Sequence, residues 1–204
     1  MNITVLGAGA WGTALAIHFA KQHHQVRLWA RDTEHVLQMK QSRSNERYLA
    51  GFVFPPQLTL ETDLQAAISA TELLLIATPV AGLRPTLEKI SPHIGADIPV
   101  MTACKGFEVS TGKLPHQVVA DVLPQQQHII LLSGPSFAQE LAEQLPCAVT
   151  LAAADAVWIE QLCRDLNSPV LRLYASTDLI GVAVGGALKN VMAIATGLCD
   201  GLHY

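Results

Sequence analysis

The chain has 204 residues, half of them hydrophobic and 15% charged, enough to bury the core of one large domain and begin a second. A net charge of −4 excludes a general polyanion-binding surface, so nucleic acid is not expected as a partner and any phosphate must be held locally. Cys104, Cys147, Cys163 and Cys199 are scattered with no C-x-x-C pair, which argues against a metal site or a secreted disulfide framework and fits reduced thiols.

In chain order, short apolar runs alternate with longer helical patterns. Residues 3–6 read as a strand, 13–21 as a helix and 25–29 as a second strand. Further strands are predicted at 73–77, 98–103, 128–132, 148–152 and 170–174, with helices at 80–90, 113–123, 137–143 and 157–166. This alternation predicts an α/β fold over residues 1–176, a doubly wound, mostly parallel sheet with right-handed crossovers. Residues 41–56 lack a clean period and predict a short helix followed by a surface loop. Met1-Asn2-Ile3-Thr4 leads straight into the first strand without the basic segment of a secretory signal, so a cytoplasmic location is expected.

From residue 177 one long apolar helical run replaces the alternation, which predicts the start of a second domain over 177–204. Lys189-Asn190 at its middle makes membrane insertion costly, so a buried helix of a soluble protein is expected. The apolar face of that helix needs a cover, which predicts a homodimer. The chain stops at Gly201-Leu202-His203-Tyr204 without a cap or polar tail, and more chain is expected to follow.

Gly7-Ala8-Gly9-Ala10-Trp11-Gly12 is the G-x-G-x-x-G of a Rossmann dinucleotide site. Gly7 allows the tight turn, Gly9 lets backbone approach a pyrophosphate, and Gly12 lets the helix pack on the strand. A glycine-rich turn without a ligand fits the six residues alone. The strand before, the helix after and a second strand ending at residue 29 favour the dinucleotide. At the tip of that strand Arg31 can pair with a 2′-phosphate and Asp32 with a free ribose hydroxyl; Arg31 comes first, so NADP is favoured over NAD.

Thr78 and Pro79 end the third strand of the pattern, where ligands of open α/β sheets sit; an ordinary strand-to-helix turn fits them equally. Lys105, followed by Gly106, can aim an ammonium into the same crevice or face solvent. Ser133-Gly134-Pro135-Ser136 precedes another helix, and Ser136 with Gln139 has capping-box spacing, so that helix is expected to start at Phe137. Gly181, Gly185, Lys189 and Ala193 share one helix face, and Gly185 and Gly186 remove bulk beside Lys189. A lysine buried there suits proton exchange near neutral pH; pairing with Asp200 is the alternative.

Four segments together resemble the NAD(P)-dependent glycerol-3-phosphate dehydrogenases of bacterial type, in the right order along the whole chain. They are the glycine turn running on to Thr13-Ala14-Leu15-Ala16, Ala103-Cys104-Lys105-Gly106, Ser133-Gly134-Pro135-Ser136-Phe137-Ala138-Gln139-Glu140, and Gly185-Gly186-Ala187-Leu188-Lys189-Asn190-Val191. The resemblance implies hydride transfer between NAD(P)H and dihydroxyacetone phosphate, giving sn-glycerol 3-phosphate for phospholipid synthesis. Lys189 would exchange the proton. Ala10, Trp11, Arg31, Lys105 and Ala138 would contact the cofactor, and Lys105, Gly134 and Ser136 the substrate. Members of that family continue into an all-helical substrate domain, so these 204 residues alone are expected to bind cofactor with little turnover. A ketopantoate-type or 3-hydroxy-acid dehydrogenase, or a non-catalytic NAD-binding module, shares parts of the pattern.

Overall fold

Asn2–Leu6 forms β1, and Ile3 through Leu6 are buried because strands flank β1 on both sides and helices cover both its faces. The computed structural model describes residues 1–202. After β1 come α1 (Ala10–Lys21), β2 (Gln25–Trp29), α2 (Thr33–Ser42), β3 (Ser44–Asn45), β4 (Leu49–Val53), β5 (Leu58–Glu61) and α3 (Leu64–Ile68). The middle of the chain supplies β6 (Leu73–Ile76), α4 (Leu83–Ile90), β7 (Val100–Thr102), α5 (Pro115–Val122) and β8 (Ile129–Ser133). It closes with α6 (Ala138–Ala142), β9 (Cys147–Ala152), α7 (Ala156–Leu166), β10 (Leu171–Ser176) and α8 (Leu179–Gly201).

Eight strands make one sheet in the order β10, β9, β8, β7, β6, β1, β2, β5. The chain moves from β1 outward through β2, then crosses back to place β6 on the other side of β1, so the winding reverses between β1 and β6. Four consecutive apolar residues in β6 reflect burial on both faces. Leu73 and Leu75 face the core layer that holds α1, α2, α6 and α7, whereas Leu74 and Ile76 face the layer that holds α3, α4 and α5. All neighbours pair in parallel except β8 with β9. The connection between those two holds only the five-residue α6, too short to run back along the sheet, so β9 enters from the end that β8 leaves.

Two expectations fail here. Residues 41–56 are not a short helix and a loop, because α2 ends at Ser42 and an antiparallel pair, β3 with β4, follows. That segment is ordered by bonds across itself and by one to a distant residue: the Arg43 guanidinium donates to the carbonyls of Phe54, Pro55 and Leu58, which closes it into a ring, and Asn45 donates to Ala8 O. The second failure is α8, which is long and apolar enough by length and composition to cross a membrane and is not buried as expected. Ala183 packs on Leu114, Leu131 and Ala152 and is its buried residue, while Val191, Met192, Ile194 and Leu198 are exposed. The sheet reaches the first turns of α8 and stops, so the apolar second half meets no other element among the described residues.

Within the core, His18 of α1 is fully buried, with Nε2 3.3 Å from Ser168 Oγ and Nδ1 unpaired among the described residues. Burial first, and the charges of Lys21 and His24 next, lower its pKa from 6.5 to about 4. The unfolded chain takes up a proton below 6.5 that the folded protein refuses until about 4. Stability from this group is therefore complete above 6.5 and falls as pH drops through that window, by about 3 kcal/mol in all. Thermal melts across the window should show a shallower decline in His18→Leu than in wild type. An unchanged slope would mean that another group titrates.

Candidate active site

The turn after β1 is built by close approach. Gly7 has φ +117°, and its N–H donates to Trp29 O at 2.9 Å, tying the turn to the end of β2. A Cβ on Gly12 would stand 2.0 Å from Gly7 O, so only glycine lets α1 start so near the strand. Gly9 differs, since nothing lies within 4 Å of where its Cβ would be. The fold itself makes no use of that space. Gly9 is also the N-cap of α1 and brings no side chain to cap it, leaving the first N–H groups and their partial positive charge for a bound anion. These features fit a pyrophosphate.

Beside the turn a cleft of about 640 Å³ opens where the winding reverses. Of the expected cofactor residues, Gly7, Gly9, Arg31, Thr78 and Pro79 line it. Ala10, Trp11 and Gly12 lie behind the lining in the first turn of α1, and the buried Trp11 Nε1 has no hydrogen-bond partner among the described residues. Four further lining residues, His35, Arg47, Tyr48 and Lys89, had no signal in the sequence. Asp32 is occupied by the fold: it caps α2 by accepting from His35 N at 3.1 Å and pairs with Arg47 at 3.2 Å. The His35 bond first, and Arg47 after it, hold its carboxyl below the usual range. Arg47 in turn lies over the Tyr48 ring, 5.2 Å from its centroid. Arg31 is exposed at the same end of the cleft.

A second pocket, of about 250 Å³, brings together Lys105, Gly134 and Lys189 as expected, with Ser133 and Thr150 beside them. Lys105 Nζ donates to Gly134 O at 3.1 Å. Desolvation lowers its pKa, and the neighbouring charge of Lys189 lowers it further. Lys189 is half-buried, not buried as expected, and its Nζ lies 5.4 Å from the centroid of the Phe137 ring. No ion pair joins Lys189 to Asp200 among the described residues; Asp200 lies on the exposed second half of α8, well away from the pocket. The two glycines before Lys189 have separate tasks. Gly185 borders open space, whereas a Cβ on Gly186 would meet Ser133 Oγ at 2.7 Å, so Gly186 lets α8 approach β8.

Ser136 and Ala138 line neither cavity. The expected capping box is also absent: Phe137 is the N-cap of α6, and Gln139 donates to Glu143 Oε1 at 2.8 Å instead of reaching back. Ser136 therefore stays in the loop before α6, and burial raises the pKa of the Cys147 thiol.

Cleft and pocket belong to one row of strand ends. Cys104 Sγ at the end of β7 donates to Thr78 O at the end of β6, 3.0 Å away, and Lys105 is the next residue. The loop that follows is pinned at Glu108, which Arg84 of α4 grips with two bonds of 2.9 and 3.0 Å. Arg84 also reaches Asp121 of α5 at 2.8 Å, and Lys113 holds the same carboxylate at 2.6 Å. Arg84 and Thr111 hold the Glu108 carboxyl below its usual range, and Lys113 and Arg84 do the same for Asp121.

Strand order, glycine turn and cleft together define a Rossmann-type dinucleotide-binding domain with a lysine-bearing pocket at its edge. The family model described as the NAD-dependent glycerol-3-phosphate dehydrogenase N-terminus matches residues 2–158, and its C-terminus counterpart matches 178–204. The chain belongs to the NAD-dependent glycerol-3-phosphate dehydrogenase family. It is 56% identical over its whole length to a glycerol-3-phosphate dehydrogenase [NAD(P)+] of Neisseria meningitidis and 50% identical over 99% of it to that of Dechloromonas aromatica. It spans 62% and 61% of the length of those two relatives. The crystal structure of glycerol-3-phosphate dehydrogenase from Coxiella burnetii superposes with a TM-score of 0.90 at 37% identity, covering 99% of this chain and 62% of that one. The Plasmodium falciparum enzyme gives 0.86 at 27% identity, covering all of this chain and 60% of that one.

The clamp on Glu108 carries a prediction for the Lys105 loop. In Arg84→Met, amide hydrogen exchange over residues 105–112 should quicken by about tenfold while β1 and β6 stay protected. Equal protection in both proteins would show that the clamp does not order the loop.

Proposed function

We propose that this chain is the cofactor-binding part of an enzyme that transfers hydride between NAD(P)H and dihydroxyacetone phosphate, giving sn-glycerol 3-phosphate. The observation that carries the reading is the meeting of two ammonium groups, Lys105 and Lys189, in a pocket on the same row of strand ends as an uncapped glycine-turn helix. Gly7, Gly9, Ala10, Trp11 and Gly12 form the seat of the pyrophosphate, and Thr78 and Pro79 border the nicotinamide ribose. When bound, the dinucleotide supplies or accepts the hydride.

The chain's own residues do the rest. Lys105 and Gly134 hold the substrate, with the Lys105 ammonium facing its negative charge. Lys189 Nζ gives a proton to the carbonyl oxygen as negative charge builds there, and the amine recovers that proton from water. In the reverse direction Lys189 takes the hydroxyl proton.

At the adenosine end, Asp32 is committed to its cap and to Arg47, which leaves it poorly placed for a free ribose hydroxyl. Arg47 is offset by its pairing with Asp32, so Arg31 is the charge at that end that supports NADP over NAD. We further propose a soluble cytoplasmic protein whose product enters phospholipid synthesis, with the apolar face of α8 supporting a homodimer.

The test uses the whole protein that contains this chain. Lys189→Ala should lower kcat for NADPH oxidation with dihydroxyacetone phosphate by about a thousandfold or more, with NADPH affinity kept within a few fold. Full turnover in that variant would overturn the catalytic assignment. Separately, Arg31→Ala should weaken NADPH about tenfold or more and NADH much less, the loss of one charge-assisted contact to a 2′-phosphate. Equal weakening of both cofactors, measured by titration calorimetry, would remove the NADP preference.

A further inference from the structure

We infer that Asn45 is a positioning residue that holds the two ends of the dinucleotide cleft at a fixed spacing; the inference rests on the dinucleotide reading above. Asn45 is fully buried, in β3 behind the cleft. Its Nδ2 donates to Ala8 O at 3.0 Å and to Thr13 Oγ1 at 2.8 Å. Its Oδ1 accepts from Tyr48 N at 3.2 Å and lies 3.0 Å from His35 Nε2. Two donor hydrogens and two acceptor lone pairs are all engaged, so the carboxamide is used to capacity. Flipping it would set its oxygen against Ala8 O and its nitrogen against Tyr48 N–H, which fixes the orientation and makes His35 Nε2 the donor.

The partners show what the amide is for. Ala8 belongs to the pyrophosphate turn, His35 to α2 at the adenosine end, and Tyr48 to the link between β3 and β4. All three line the cleft, and Asn45 does not. The His35 and Tyr48 rings also meet edge to face, 5.4 Å apart, so the two form one continuous adenosine wall. A single buried side chain thus ties that wall to the turn. Because the Ala8–Gly9 peptide is planar, holding Ala8 O also fixes the direction of the Gly9 N–H.

A spacer of this kind matters for a ligand that spans both ends and little for one that occupies either end alone. In the chain as it stands, Asn45→Ala should raise the Kd for NADPH about tenfold, while the Kd values for 2′-AMP, which reaches only the adenosine wall, and for inorganic pyrophosphate, which reaches only the turn, change less than twofold. Thr13→Val removes one of the four bonds without altering the cleft lining. It should give a smaller loss for NADPH alone, and it decides the matter if Asn45→Ala does not fold. Uniform weakening of all three ligands, or unchanged NADPH binding in a folded variant, would overturn the spacer role while leaving the dinucleotide reading intact. Failure of the wild-type chain to bind NADPH or NADH would overturn both.

Discussion

The approach of α1 to β1 at the glycine turn is the constraint on which the rest of the molecule depends. With no Cβ at residue 12, the helix starts in contact with the Gly7 carbonyl and runs back under the sheet, burying Leu15, Ile17 and Phe19 against its central strands. The same geometry leaves the first turn of α1 without a cap at a point where every neighbouring strand ends. Its unpaired N–H groups are then the natural seat for an anion, and the winding reversal between β1 and β6 supplies the space. Fold and binding site follow from one close contact.

Charge is distributed along that row of strand ends in a way that composition conceals. The chain is net negative, yet Arg31, Arg47, Lys89, Lys105 and Lys189 all border the two cavities. Asp32 lines the cleft and offsets Arg47 while it caps α2, whereas Glu108 and Asp121 are gripped by Arg84 and line neither cavity. Spending acidic groups on local structure leaves the cavities with basic character. The proposed cofactor and substrate, both bearing phosphate, need that character, and a low global charge does not oppose it.

The long helix α8 stands apart from this economy. Its first turns complete the lysine pocket through Gly185, Gly186 and Lys189, while its second half presents Val191, Ile194 and Leu198 to solvent. The match to the C-terminal family model begins at residue 178, and the chain spans 62% of the length of the Neisseria relative. The pocket that carries the proposed chemistry is thus assembled where two family domains meet. Lys189 is positioned by both, since its helix belongs to one and its neighbours Lys105 and Gly134 to the other.

The sequence by itself determined the strand–helix alternation, the glycine turn, the mostly parallel sheet and the facing of Gly185, Gly186 and Lys189 on one helix. Each of these is written in a local period or in a residue with a special backbone, and neither depends on distant partners. Tertiary structure alone decided the β3–β4 hairpin, which has no period and is ordered by Arg43 bonding across the segment and Asn45 bonding to the distant Ala8. It also decided that Asp32 serves a cap and an ion pair, that Ser136 is left out of both cavities, and that α8 is exposed over its second half. A hydrogen bond or a covering surface between segments distant in sequence leaves no periodic trace in either one, which is why the wall of the cleft stayed hidden while its floor could be read.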